Sequence, residues 1–174
     1  QREVGLAVGE PPTTKGYPPS TFAMLPKLLE RASPAIGEGS ITGIYTVLVE
    51  GDDMTDPVGD AAKGLLDGHI TLSRELANRG HYPAVDVLQS ISRVDTDVAT
   101  AQELTAARTV RGWLAQLEES RDLVSVGAYK PGANQLLDKA LQKQPQINRF
   151  LQQEIQEVAD MPTTASQLSG LARG

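Results

Sequence analysis

Between Ser40 and Val49 the chain reads Ser-Ile-Thr-Gly-Ile-Tyr-Thr-Val-Leu-Val, β-branched and apolar on both faces. A strand with one wet side alternates polar and apolar residues, whereas a run apolar on both sides needs cover above and below. The segment therefore predicts a central strand of a parallel sheet with helices on each face. The residues after Val49 fit the same layering. Beyond the acidic turn Glu50–Asp56, Asp56 is a good N-cap, and Pro57 takes the first helical position, where proline is best tolerated. That helix is expected to reach about Asp67–Gly68. His69–Leu72 predicts a short buried strand, and Ser73–Arg79 a short helix ended by Gly80. Strand and helix alternating in this way are the signature of an open parallel α/β sheet.

Upstream, residues Arg2–Val8 read like the middle of a helix with no capping residue ahead of them, so the expectation is a piece of a longer chain. Gly9–Ser20 is a loop rich in Pro, Gly and Thr. Ser20 is expected to cap a helix from Thr21 to about Ala32, with Phe22, Leu25, Leu28 and Leu29 on one face. Ser33–Gly39 is a second loop.

Beyond residue 96 the composition changes. Leu104, Ala107, Val110, Leu114, Leu117 and Val124 recur at helical spacing, predicting one long amphipathic helix over Thr96–Val126 that Gly127 stops. Tyr129-Lys130-Pro131-Gly132 turns the chain, and two further helices are expected at Asn134–Lys143 and Pro145–Val158. Met161-Pro162-Thr163 breaks the pattern, leaving at most a frayed helix at the end. The boundary falls near Asp97, with an α/β part over residues 1–96 and a helical domain over 97–174.

The totals exclude several classes. With 174 residues, 40% of them hydrophobic, the chain can bury a core. A net charge of −6 with no polybasic run argues against nucleic acid as a partner, because Lys and Arg supply that affinity. The absence of cysteine removes disulfides and thiolate metal sites. No apolar run approaches the roughly 18–20 residues that span a bilayer, and the expectation is a soluble, cytoplasmic protein.

The motifs are sparse. A P-loop needs a glycine-rich turn ending Gly-Lys-Ser/Thr, whose amides and lysine cradle phosphates. Gly9–Gly16 and Gly59–Gly64 lack that ending, so the chain alone is not expected to hold a triphosphate. The acidic cluster Glu50–Asp56 has the wrong spacing for a calcium loop. It reads as a strand-to-helix loop in which Asp56 caps, while Asp52 and Asp53 have no capping duty. His69 and His81 lack zinc-ligand spacing and read as polar residues beside strand ends. From the residues alone, Tyr82 is a tyrosine at a strand edge and Arg93 an arginine in a surface pair.

A resemblance gives these residues more meaning. The blocks that carry it are Arg2–Pro12, Lys15-Gly16-Tyr17-Pro18-Pro19-Ser20, Val49–Pro57 with Gly51-Asp52-Asp53, Leu66–Ile70, and Tyr82–Val94. Over essentially its whole length the chain resembles the C-terminal half of the flagellum-specific ATP synthases, the export ATPases of bacterial flagella within the rotary ATPase superfamily. The Gly-Asp-Asp and Lys-Gly-Tyr-Pro-Pro wording favours that branch over the virulence-type (injectisome) secretion ATPases.

The resemblance implies a hexameric ATPase that hydrolyses ATP with Mg²⁺ to support type III protein export, at the inner face of a membrane-bound apparatus. Residues 1–96 become the late part of a RecA-like P-loop domain, with the phosphate loop and catalytic glutamate upstream, and residues 97–174 the C-terminal helical domain. Arg93 then matches the arginine that completes the neighbouring subunit's site, a type of residue worth roughly 10³–10⁵ in rate. Tyr82 matches an adenine-stacking aromatic. Ile155 falls near a second aromatic position from which it departs in type. Tyr17, Asp52 and Asp53 fall in loops that line the central pore and touch a stalk protein, and the helical domain would face the export gate. The isolated chain is expected not to hydrolyse ATP. The rival from another class is a non-hydrolytic module that binds the export apparatus.

Overall fold

The computed structural model describes residues 1–34, 36–49, 51 and 56–173, which separate into two compact units, Gln1–Asp67 and Gly68–Gly174. In the first, helix α1 (Arg2–Ala7) packs on helix α2 (Pro19–Leu29) through a backbone approach that only glycine permits. A Cβ on Gly5 would stand 2.7 Å from Pro18 Cγ and 2.9 Å from Ser20 Oγ. Ser20 is not the cap expected of it. The helix begins two residues earlier, at Pro19, and the Ser20 hydroxyl accepts from Gln1 Nε2 at 3.0 Å. The Ser20 amide is met instead by Glu10 Oε2 at 3.0 Å.

Helix α3 (Pro57–Leu65) starts as the sequence predicts. Asp56 Oδ1 accepts from the amides of Val58 and Gly59, and Pro57 fills the first position. The run before it corrects the sequence reading. Residues 41–49 form no strand; the contact nearest to one is a bridge between Pro34 and Ser40. Ile44 is 93% and Leu48 91% exposed. A strand exists only by pairing, and no described residue of this unit offers Ile41–Val49 a sheet edge to join.

The second unit opens with strand β1 (Gly68–Leu72), helix α4 (Arg74–Asn78) and strand β2 (Val85–Ser92). The strands pair with each other, and they are antiparallel, which corrects the parallel sheet expected here. The helix between them is short enough for the chain to fold straight back, so β2 returns alongside β1 rather than crossing over.

Helices α5 (Asp95–Val98), α6 (Ala101–Glu119), α7 (Arg121–Ser125), α8 (Gln135–Leu151) and α9 (Met161–Arg173) complete this unit. The single helix expected over Thr96–Val126 is therefore divided. Thr100 interrupts it as the N-cap of α6, with its hydroxyl on the Glu103 amide and the Glu103 carboxylate on the Thr100 amide.

Helix α8 joins what proline was expected to separate. Buried Leu137, Ala140, Lys143 and Ile147 form one stripe running past Pro145, so packing overrides the missing amide. The helix ends at Leu151 rather than Val158. The closing segment, expected to fray, is a packed helix. Asp160 Oδ1 accepts the Thr163 amide at 2.7 Å, and Leu168, Leu171 and Ala172 join Val110, Trp113, Ala140 and Ile147 in the core. Among the described residues no helix is long and apolar enough to cross a membrane.

Candidate functional site

The β1–α4–β2 segment is closed by short bonds that fix where its residues point. Ser73 caps α4 through the Leu76 amide, His81 donates its amide to Leu76 O at 3.0 Å, and Ser73 donates to Ala84 O at 2.8 Å. Gly68 allows the strands to meet, since a Cβ there would lie 2.6 Å from Ile91 O and 3.2 Å from Ser92 Cα. His69 Nε2 bonds Gln89 O at 3.0 Å, giving this histidine a structural duty.

Tyr82 sits in the turn ahead of β2 with its side chain 58% exposed. Its carbonyl accepts the Gln153 amide at 2.9 Å, which ties the segment after α8 to this turn. That segment carries Ile155, 96% exposed. The structure thus brings the backbone stretches of Tyr82 and Ile155 together while leaving both side chains open to solvent. Arg93 lies at the opposite end of β2, exposed, in the turn between Ser92 and α5.

The expected pore-loop residues belong to the first unit. Tyr17 is half-buried, under the Arg2 guanidinium at 5.2 Å from the ring centroid and edge-on to Phe22 at 6.0 Å. Asp52 and Asp53 lie outside the described residues. Asp56 is described. Its Oδ2 stands 3.4 Å from Lys15 Nζ, which links the turn after Thr13 to the start of α3. The Gly59 amide, then Lys15 and the Val58 amide, hold the Asp56 carboxyl below the usual carboxylate range.

The described residues do not fit a triphosphate or its Mg²⁺. They contain no cluster of metal-ligating side chains. Gly59 and Gly64 lie inside α3, where a Gly59 Cβ would press on Val49 Cγ1 at 3.0 Å, so Gly59 serves packing rather than phosphate binding. A cleft of about 320 Å³ between β2, α6 and α8 is lined by Arg79, His81 and Arg121. Arg79 and Arg121 share Glu75, and Arg121 also meets Glu118, so two carboxylates offset the two charges a phosphate would need. Tyr82 and Arg93, both exposed residues, stand at the two ends of strand β2.

Residues 1–92 match the ATP synthase alpha/beta family, nucleotide-binding domain, and residues 99–170 match the T3SS EscN ATPase C-terminal domain. A flagellum-specific ATP synthase from Bacillus subtilis is 52% identical over 171 residues, covering 98% of this chain and 39% of that protein. One from Salmonella typhimurium is 56% identical over 161 residues, covering 92% of this chain and 35% of that protein. A type 3 secretion system ATPase from Sinorhizobium fredii is 51% identical, with coverages of 98% and 38%. The chain thus spans between a third and two fifths of the length of these relatives. Among solved structures, the assembled ATPase EscN of the enteropathogenic E. coli type III secretion system superposes with a TM-score of 0.93 at 44% identity, covering 98% of this chain and 41% of that one. EscN in complex with its central stalk EscO gives 0.86 at 42% identity, with coverages of 98% and 40%.

Proposed function

The chain belongs to the ATP synthase alpha/beta family, and on that premise we propose that it is the late part of a subunit of a type III protein-export ATPase of the flagellar branch. Residues 1–96 form the end of its RecA-like nucleotide domain and residues 97–174 its C-terminal helical domain. Six such subunits form a cytoplasmic ring that hydrolyses ATP with Mg²⁺, and the ring engages a central stalk protein and the export gate. The flagellum-specific relatives and the stalk-bound EscN structure support this assignment.

The carrying observation is that Tyr82 and Arg93, both exposed, bracket strand β2 in a chain whose residues 1–92 match the nucleotide-binding domain of this family. Such a chain can contribute to a nucleotide site without holding one. The Tyr82 ring lies open for stacking on a base, beside the backbone that carries Ile155. The Arg93 guanidinium presents a planar fork of donors. Placed in the adjoining subunit's site, it stabilises charge developing on the transferred phosphoryl group. Tyr17, Asp52 and Asp53 are the residues assigned to the pore-lining segments.

Arg93→Ala in the full-length ring tests this. Turnover is expected to fall on the order of 10³-fold, with nucleotide affinity nearly unchanged. A variant with wild-type turnover defeats the assignment. A second reading is a non-hydrolytic module that binds such an ATPase. That reading requires a native gene product of 18.6 kDa, the mass of this chain. A much larger product supports the subunit.

A further inference from the structure

Strand β2 leaves the ladder partway along its length. His69 faces Ile91 and Thr71 faces Asp86, so the two steps from His69 to Thr71 correspond to five from Asp86 to Ile91. The extra residues bulge out, and their backbone groups need partners from outside the sheet. The amides of Leu88 and Gln89 both donate to Asp86 Oδ1 at 3.0 Å. The Ser90 hydroxyl donates to Asp86 O at 2.5 Å, and the Thr71 hydroxyl to Gln89 O at 3.2 Å.

One side chain takes the remaining carbonyls. Arg111, on α6, donates from Nη1 to Val87 O at 2.8 Å and to Ser90 O at 3.2 Å, and from Nη2 to Leu88 O at 3.4 Å. Three carbonyls converging on one guanidinium call for a rigid, forked donor. A lysine ammonium is a compact charge on a flexible stem and cannot span the same three oxygens. Ser90, the last carbonyl held, comes three residues before Arg93.

We propose that Arg111 is a positioning residue for Arg93: from the helical domain it clamps the bulge of β2 and so sets the direction in which the strand delivers Arg93. This rests on the reading of Arg93 as the arginine that acts in the adjoining subunit. The bulge is a conformation that the strand pairing does not itself impose, and Arg111 supplies three of the bonds that hold it. Tyr82 lies on the other side of the bulge, so base binding is not tied to the clamp. The clamp also ties the helical domain mechanically to the arginine, so a partner that shifts α6 moves Arg93.

The test is Arg111→Lys in the full-length ring, with Arg111→Ala beside it. Displacement of a reacting group by about an ångström can cost on the order of a hundredfold in rate, so Arg111→Lys is expected to lower kcat roughly ten- to a hundredfold while KM for ATP and ring assembly are unchanged. In an Arg93→Ala background the same change is expected to cost nothing more, because there is no arginine left to misplace. Wild-type turnover in Arg111→Lys overturns the proposal, and so does a loss that adds fully to that of Arg93→Ala. Failure of both Arg111 variants to assemble also overturns it, since the tie would then be structural only. If Arg93→Ala itself keeps wild-type turnover, the functional reading fails at its source, an outcome read in a separate variant.

Discussion

Asp56 uses both of its carboxylate oxygens. Oδ1 takes the amides of Val58 and Gly59 at 3.0 and 3.1 Å, and Oδ2 faces Lys15 at 3.4 Å. The first pair satisfies orphan donors at the start of α3, where a negative charge also meets the positive end of the helix dipole. These bonds, the Gly59 amide foremost, lower the folded-state pKa below the ordinary value of 3.8. A carboxyl depressed by folding contributes stability that is fully present above its unfolded pKa and is lost as pH falls through the folded one. Asparagine caps nearly as well as aspartate, so Asp56→Asn removes the charge and spares the cap. Urea midpoints of the two proteins should differ at neutral pH, with the variant lower. That gap is expected to close as pH drops below 3.8. A gap that stays constant through the acid range would mean the charge contributes nothing. The cap was legible in the sequence because Asp56 and Pro57 are neighbours. The Lys15 contact was not, since 41 positions separate the partners and no local pattern encodes their meeting.

Helix α8 shows how far packing can override a local rule. Pro145 is exposed and sits well inside Gln135–Leu151, where it removes an amide from the ladder. Proline in a helix interior costs about 3 kcal/mol relative to alanine. It also restricts the unfolded chain, which returns about 1 kcal/mol to the folded state. The first effect is the larger, so Pro145→Ala is expected to raise stability by about 2 kcal/mol in denaturant melts. An unchanged or lower midpoint would show that the helix has already relaxed around the ring. Sequence reading split α8 at this residue because proline is the strongest local signal, while the stripe Leu137, Ala140, Ile147 that crosses it shows only when the helices are laid together. The opposite error occurred at Thr100. There the apolar repeat predicts one continuous helix, whereas Thr100 and Glu103 form a capping box that starts a new one. The antiparallel return of β2 was illegible for a third reason: strand direction is set by pairing, which a run of residues does not record.

At the scale of the whole molecule, the apolar run that constrains the sequence most is the one the fold leaves uncovered. Ile41 is 67%, Ile44 93% and Leu48 91% exposed, in a stretch rich in β-branched residues with no charge between Ser40 and Val49. The chain spans only 39% of the length of the Bacillus subtilis relative, and in a longer protein such a run can find cover. The site divides along the same line. Tyr82 and Arg93 were named because their block of sequence is distinctive, whereas Arg111, the residue that holds the strand between them, carries no motif at all. The exposed run leads to opposite expectations in two contexts. Uncovered and uncharged β-prone segments pair with copies of themselves. The 174-residue chain should therefore self-associate as its concentration rises, and Ile44→Lys with Leu48→Lys should suppress that association by placing charge on the run. In the full-length ring the same residues would lie inside a sheet covered on both faces, where an unpaired lysine is severely destabilising. Light scattering on the short chain and thermal melts of the ring read the two effects separately. Rescue in the first with loss in the second supports a strand that is completed elsewhere in the subunit. A ring that tolerates both lysines would mean the run is a surface in the intact protein too.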